Sequence, residues 1–177
     1  KEIARVGFDH IRLPVNPEMY DFPMKSGQKP SNFKFKDIDA AIALATKYNL
    51  AVILDIHPGE DFIRTLEEQP NWAEPLFVDF WTEIATHYKD YSTDTLAFEL
   101  LNEPQYYGRE DRYNELMKKV VTAIRKVDGG KRTLIIGAPQ GSSLDGLMEL
   151  KTVEDTNIFY AFHFYEPYMV THQGIHM

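Results

Sequence analysis

The chain has 177 residues, with Lys+Arg 19 against Asp+Glu 27, a formal net charge of −8, and 44% hydrophobic and 13% aromatic residues. That size suits one globular domain with a sizeable core, and an acidic chain without a Lys/Arg cluster argues against nucleic acid or an anionic membrane as partner. Cys is 0, which removes disulfides, thiol nucleophiles and thiolate zinc sites; the apolar runs are too short and too charged for a bilayer span, and KEIARVGFDH lacks the basic-then-apolar pattern of a signal segment.

Short apolar segments alternate with amphipathic ones, the pattern of βα units and a parallel sheet. The first strand is expected over Asp9 to Val15, ended by Asn16-Pro17. A polar loop then runs to about Phe35, and Asp37 stands where an N-cap belongs. After it Ile38, Ala41, Ile42, Ala45 and Tyr48 recur at helical spacing. The second strand, Ala51 to Ile56, is almost wholly apolar, as a strand covered on both faces should be. Glu60 to Pro75 reads as a loop holding Trp72, followed by a helix from about Leu76 to Tyr88 with Phe77, Phe80, Trp81 and Ile84 on one side. A third strand is expected over Leu96 to Asn102 and a helix over about Tyr113 to Lys126. A fourth strand follows over Thr133 to Gly137, then a short helix around Leu144 to Leu150 and a fifth strand over Ile158 to Phe164.

Polar residues collect at the carboxyl ends of these strands, the rule for open parallel sheets and for the (β/α)₈ TIM barrel alike. A dinucleotide-binding sheet would carry G-x-G-x-x-G after its first strand, and neither this nor a phosphate loop is present. The α/β barrel is the better reading. A full barrel takes about 250 residues and eight strands, so residues 1–177 are expected to form an incomplete portion of about five βα units.

Asn102-Glu103-Pro104 is the densest constellation, and alternation puts Glu99 and Glu103 on one inward face. A carboxyl beside an amide at a barrel mouth suits general acid/base work on a neutral substrate, although Asn-Glu-Pro alone also reads as a plain loop start. Arg12 lies in an otherwise apolar strand and must be paired, with Glu99 or Glu103 as candidates. His57 follows the second strand, and His163 and Tyr165 share a face at the end of the fifth. Each alone is as well explained by packing. Their recurrence at successive strand ends favours one shared site for a polyhydroxyl ligand.

His57, His163, Asp55 and Glu103 lack the local H-x-H or H-x-x-x-H pairing of most metal sites, so neither a metal nor another cofactor is expected. A serine triad is disfavoured too, since Ser142-Ser143 reads as a helix cap. Tyr20, Phe22, Trp72, Tyr106, Tyr107 and Tyr168 fall in expected loops where sugar rings could stack; singly each is as readily a loop anchor, and Trp72 is the strongest candidate.

GFDHIRLPV, AVILDIH, FELLNEP and FHFYEP, in this order, resemble glycoside hydrolase family 5, the cellulase family of retaining (β/α)₈ barrels. The resemblance covers nearly the whole chain and maps its strands onto barrel strands two to six, without strands one, seven and eight. It implies Glu103 as acid/base, Asn102 as the contact to the sugar 2-hydroxyl, and Arg12 as the residue ordering the catalytic carboxylates. It also implies His57 at the cleavage subsite and the pair His163 and Tyr165, the tyrosine reaching the nucleophile. The family's nucleophile is a strand-seven glutamate with no counterpart here, and Glu166 is a poor substitute because its parity turns it from His163. The resemblance therefore implies an endo-β-1,4-glucanase-like enzyme acting on β-glucan or cello-oligosaccharide, secreted or extracellular, with Glu103 raised in pKa by its partner carboxylate. A partial gene, a split or rearranged barrel, and one piece of a larger assembly are all open explanations, with a second chain or second copy supplying the missing strands in the last two; this chain alone is not expected to perform the double displacement. An exo-glucanase, a mannanase, or an inactive sugar-binding or folding fragment are the alternatives.

Overall fold

The computed structural model describes residues 1–20, 22 and 35–174, the side chain of Tyr20 excepted. Most of the polar loop expected before Phe35 therefore lies outside the described residues. In chain order the elements are α1 (Glu2–Arg5), β1 (His10–Val15), a 3-10 turn (Pro17–Tyr20), α2 (Lys36–Lys47), β2 (Ala51–Ile56), α3 (Glu60–Glu68) and α4 (Pro70–His87). There follow β3 (Leu96–Glu99), α5 (Glu110–Asp128), β4 (Leu134–Gly137), α6 (Pro139–Ser142), α7 (Leu144–Glu149), β5 (Ile158–Ala161) and α8 (Tyr168–Thr171). The strands form one parallel sheet in the order β1-β2-β3-β4-β5, with β1 and β5 at its edges. Sequential parallel order with a helix in each connection is the barrel pattern.

Period-2 alternation divides the sheet into two faces. Val52, Leu54, Phe98, Leu134 and Ile136 are all 1% exposed or less, and Phe98 lies under Trp81 and Tyr88, with ring centroids 5.4 and 6.4 Å away. This is the helix-covered face. The register sets Pro14 beside Asp55 and Asp55 beside Glu99. Arg12, two residues before Pro14, thus shares the opposite face with both carboxylates. Pro14 costs no bond to β2, because the alternate residue Val15 faces that strand, accepting from His57 N–H at 2.9 Å.

Three expectations need correction. Asp37 is not the N-cap of α2; that position is Phe35, and Asp37 sits in the first turn, where its charge suits the helix dipole. The segment expected as a loop over Glu60 to Pro75 is helical. Pro70 occupies the first turn of α4, where a missing N–H costs nothing, and Pro75 forfeits one ladder bond. In α3, Phe62 and Leu66 stand one turn apart and are both buried. Gly59 offers no side-chain cap, and the Glu18 carboxylate accepts from the Phe62 N–H instead at 3.0 Å. Finally, the regular ladder of β3 ends at Glu99 and that of β5 at Ala161, earlier than expected. The backbone stays attached beyond both: Asn102 N–H donates to Ile56 O (2.9 Å) and His163 N–H to Ser142 O (2.6 Å).

Arg132 anchors the end of the sheet away from the carboxyl termini of the strands. Its side chain is 1% exposed and stacks over Phe98 at 4.8 Å. It donates to Leu96 O (2.7 Å), Tyr88 O (2.8 Å) and Tyr91 O (3.0 Å), joining the end of α4 to the start of β3. Among the described residues no helix is long and apolar enough to cross a membrane. Replacing Arg132 with Met keeps most of the volume but strands buried carbonyls, so Arg132→Met should cost roughly 2–4 kcal/mol in urea unfolding. A loss below about 0.5 kcal/mol, the size of an ordinary surface substitution, would contradict this anchoring role.

Candidate active site

The carboxyl ends of β1, β2 and β3 meet around Arg12. Its guanidinium donates to Glu99 through Nε (2.6 Å to Oε2) and Nη2 (2.8 Å to Oε1), a two-point fork only arginine provides. Nη2 also donates to Asn102 Oδ1 at 2.8 Å and lies 3.0 Å from Asp55 Oδ2. The pairing expected for Arg12 is present, with Glu99 rather than Glu103. Asp55 and Glu99 are buried, and both are committed to this cation.

His57 sits just beyond β2, its Nδ1 2.9 Å from Asp55 Oδ2 and its Nε2 3.3 Å from Asn102 Nδ2. Asn102 thus joins Arg12 on one side to His57 on the other. Burial, with the Glu99 charge adding to it, pushes the Asp55 carboxyl up to about 6, against the opposing pull of Arg12 and His57.

Glu103 follows at once, with a left-handed φ of +44°, an uncommon and strained state for a residue with a side chain. The turn is held from two sides. Gln105 Nε2 donates to Glu103 O (2.9 Å), and α6 clasps the loop through Gly141 N–H to Pro104 O and Gln140 N–H to Gln105 O, both 2.8 Å. Gly137 permits this approach, since a Cβ there would stand 3.1 Å from Leu101 O and 3.0 Å from Ser142 Oγ. Past β5, His163 Nδ1 and the Tyr165 hydroxyl both reach Glu103 Oε1 at 2.6 Å. Burial alone would raise the Glu103 carboxyl, yet the Tyr165 hydroxyl and the His163 ring on its oxygen bring it below the usual range. Two donors face this carboxylate, and the other carboxylates of the cluster turn towards Arg12; the upward shift expected from a partner carboxylate belongs to the complete enzyme. Tyr165, read by resemblance as the partner of a nucleophile, here donates to Glu103.

A cleft of about 620 Å³ opens beside this cluster, lined by His57, Asn102, Glu103, Gln105, Ile63 and Arg64 among others. Its α3 wall is pinned by Glu67, which accepts from Tyr106 N–H (2.9 Å) and from Arg109 Nη2 (2.6 Å). Arg12, Asn102, His57, Glu103, His163 and Tyr165 are therefore brought together. Trp72 is not: it lies in the first turn of α4, partly buried against the core. Phe22 is buried between Phe62 and Phe80, and Tyr106 against Tyr113, so neither offers a ring to a sugar. Tyr107 is exposed, and Tyr168 stacks on His172. Ser143 caps α7 as expected, accepting from Gly146 N–H, and Glu166 is exposed. The residue underread in the sequence is Asp55, whose signal was an acid in an apolar strand two residues before His57.

Two titrations follow. Tyr165→Phe should raise the Glu103 pKa, read by carboxyl NMR; an unchanged value would dismiss Tyr165 as a donor. For Asp55, a folded-state pKa above the ordinary 3.8 means that folding takes up a proton between about pH 4 and 6. Stability therefore falls as pH rises through that window. Compared with Asp55→Asn, the parent protein should lose up to about 3 kcal/mol across it, at 1.36 kcal/mol per unit; parallel stability profiles would contradict the shift.

Comparison with known proteins fits this geometry. The family described as Cellulase (glycosyl hydrolase family 5) matches residues 1–175. Endoglucanase C of Acetivibrio thermocellus is 40% identical over 98% of this chain and 51% of its own, and Cellodextrinase A of Ruminococcus flavefaciens 30% over 98% and 52%. The solved structures of Thermotoga maritima Cel5A with cellobiose and with mannotriose are 33% identical, with TM-scores of 0.85 and 0.84, over 98% of this chain and 54% of theirs. The chain spans about half the length of the relatives it matches, and its five-stranded sheet corresponds to an incomplete portion of their (β/α)₈ barrel. With strand order, site geometry and profile in agreement, the chain belongs to glycosyl hydrolase family 5.

Proposed function

We propose that this chain carries the acid/base half of a retaining, endo-β-1,4-glucanase-like glycoside hydrolase, with Glu103 as general acid and then general base. The observation that supports it most is the asymmetry of Glu103. Both donors, His163 and Tyr165, sit on Oε1, and Oε2 has no hydrogen bond among the described residues while the side chain lines the cleft. One oxygen is oriented and the other is left for a proton bound for a glycosidic oxygen. Asn102, locked by Arg12, presents its amide alongside.

A retaining reaction needs a second carboxyl about 5–5.5 Å from the first. Asp55 and Glu99 are buried and face Arg12, which suits them to neither attack nor departure. The nucleophile is proposed to come from outside these 177 residues, on the same polypeptide or on a second chain. Its charge opposite Glu103 would raise the Glu103 pKa and keep the acid form available. Protonation of the leaving oxygen by Glu103 would accompany attack by that carboxylate at the anomeric carbon. Glu103 would then take the proton of the water that releases the sugar. The substrate is proposed to be β-1,4-glucan or cello-oligosaccharide, and the location extracellular, where a polymer of that size is met. β-Mannan is the second reading, favoured by the mannotriose complex of Thermotoga maritima Cel5A.

In the complete enzyme, Glu103→Gln should lower kcat on cellohexaose by roughly 10²–10⁴, the usual worth of a general acid/base, with cello-oligosaccharide affinity nearly unchanged. Undiminished turnover would remove Glu103 from the mechanism. Faster hydrolysis of mannohexaose than of cellohexaose would replace the glucan reading with the mannan one.

A further inference from the structure

Asp55 is 0% exposed and takes no direct part in the chemistry just proposed. Its Oδ2 carries both the Arg12 contact at 3.0 Å and the His57 contact at 2.9 Å, and its Oδ1 is buried with no partner among the described residues. Such an expensive placement calls for an explanation in what it does to its neighbours.

The donor and acceptor roles can be followed from both ends of the network. Arg12 only donates, so the Asn102 atom 2.8 Å from it is the amide oxygen, and the amide nitrogen must face His57. An ionised carboxylate only accepts, so the His57 nitrogen 2.9 Å from Asp55 is the one bearing hydrogen. In neutral His57 that leaves Nε2 bare, and the atom 3.3 Å from it is the Asn102 nitrogen, a donor. The two deductions meet as a donor on an acceptor. With the other tautomer, two N–H groups would oppose each other and Asn102 would be driven from its place next to Glu103.

We propose that Asp55 is a positioning residue of the cleft: its buried carboxylate holds His57 as the Nδ1–H tautomer, so that the bare Nε2 fixes the Asn102 amide beside Glu103. The pair then offers an acceptor, Nε2, and a second amide hydrogen on Asn102 towards the cleft, a combination that recognises a hydroxyl group. The hydroxyl-recognition half rests on the glycosidase reading; the tautomer does not. Among the described residues three groups face Asp55: Arg12 from β1, His57 beyond β2 and Glu99 from β3. Of these Arg12 remains paired to Glu99 when Asp55 is replaced, so the cluster keeps its main ion pair.

The test is the ¹⁵N spectrum of the imidazole nitrogens of the 177-residue protein at pH 8, assigned by loss of the signal in His57→Gln. The account expects a protonated Nδ1 and an unprotonated Nε2 at His57. In Asp55→Leu the hydrogen should move to Nε2 and the Asn102 side-chain amide signals should shift. A wild-type protein with hydrogen on Nε2, or an Asp55→Leu protein that keeps it on Nδ1, overturns the proposal. Should Asp55→Leu fail to fold, the wild-type tautomer remains decisive, and Asp55→Asn, which removes the charge but keeps the shape, should weaken the preference. For the hydroxyl-recognition half, Asp55→Asn should lower cellotetraose affinity about tenfold, the size of one well-placed hydrogen bond. If the tautomer is as expected and affinity is unmoved, the hydroxyl-recognition half falls and the tautomer assignment stands. The glycosidase reading is then judged separately by Glu103→Gln.

Discussion

The site depends on one partly exposed cation that holds two buried carboxylates. Arg12 projects from an edge strand and gathers the Glu99 fork, the Asn102 oxygen and Asp55 from the two neighbouring strand ends. Burying such charges is costly and stabilises little on balance, but once made the arrangement is unforgiving: loss of one partner leaves the others uncompensated. What the cluster confers is placement. Because a guanidinium offers hydrogens in a rigid plane, the strand ends cannot shift relative to one another without breaking a bond, and the Asn102 amide cannot turn over. Glu103 begins where that restraint ends.

The remainder of the site is built in the opposite manner. Glu103 leaves the sheet through a left-handed turn held by the α6 segment, and its carboxylate is reached from β5 by His163 and Tyr165. Tyr165 is half-exposed and follows an edge strand whose Phe159 is 65% exposed. A firm half therefore holds the amide and orients the backbone, and a more open half sets the charge state of Glu103.

Much of this was legible in the sequence because parallel strands covered on both faces read as apolar runs and polar residues at their ends stand out. β2 was found to the residue, and α2, α5 and α7 to within a few positions. Where prolines interrupt, the reading failed. Pro70 and Pro75 lie in the segment read as a loop, yet one starts a helix and the other sits inside it, which moves Trp72 from the cleft to the core. Aromatics at strand ends misled in the same way: Phe22 and Tyr106 are buried, since a large ring near a β–α junction is more often its plug than its platform. The site residues themselves were found, but not their pairings. Asp55 was visible as an acid among apolar neighbours, while its bonds to Arg12 and His57 depend on register. The lowered Glu103 pKa depends on two donors from a strand two places away.

Arg12 and Glu99 act as one unit that positions the site. The direct measurement is a double-mutant cycle in urea unfolding at pH 7, using Arg12→Met, Glu99→Gln and the pair. A coupling free energy of about 2 kcal/mol is expected, within the range seen for groups sharing one ion-pair network. Additivity within about 0.5 kcal/mol, as for distant and independent sites, would mean that the strand ends are held by packing alone and that the cluster organises nothing.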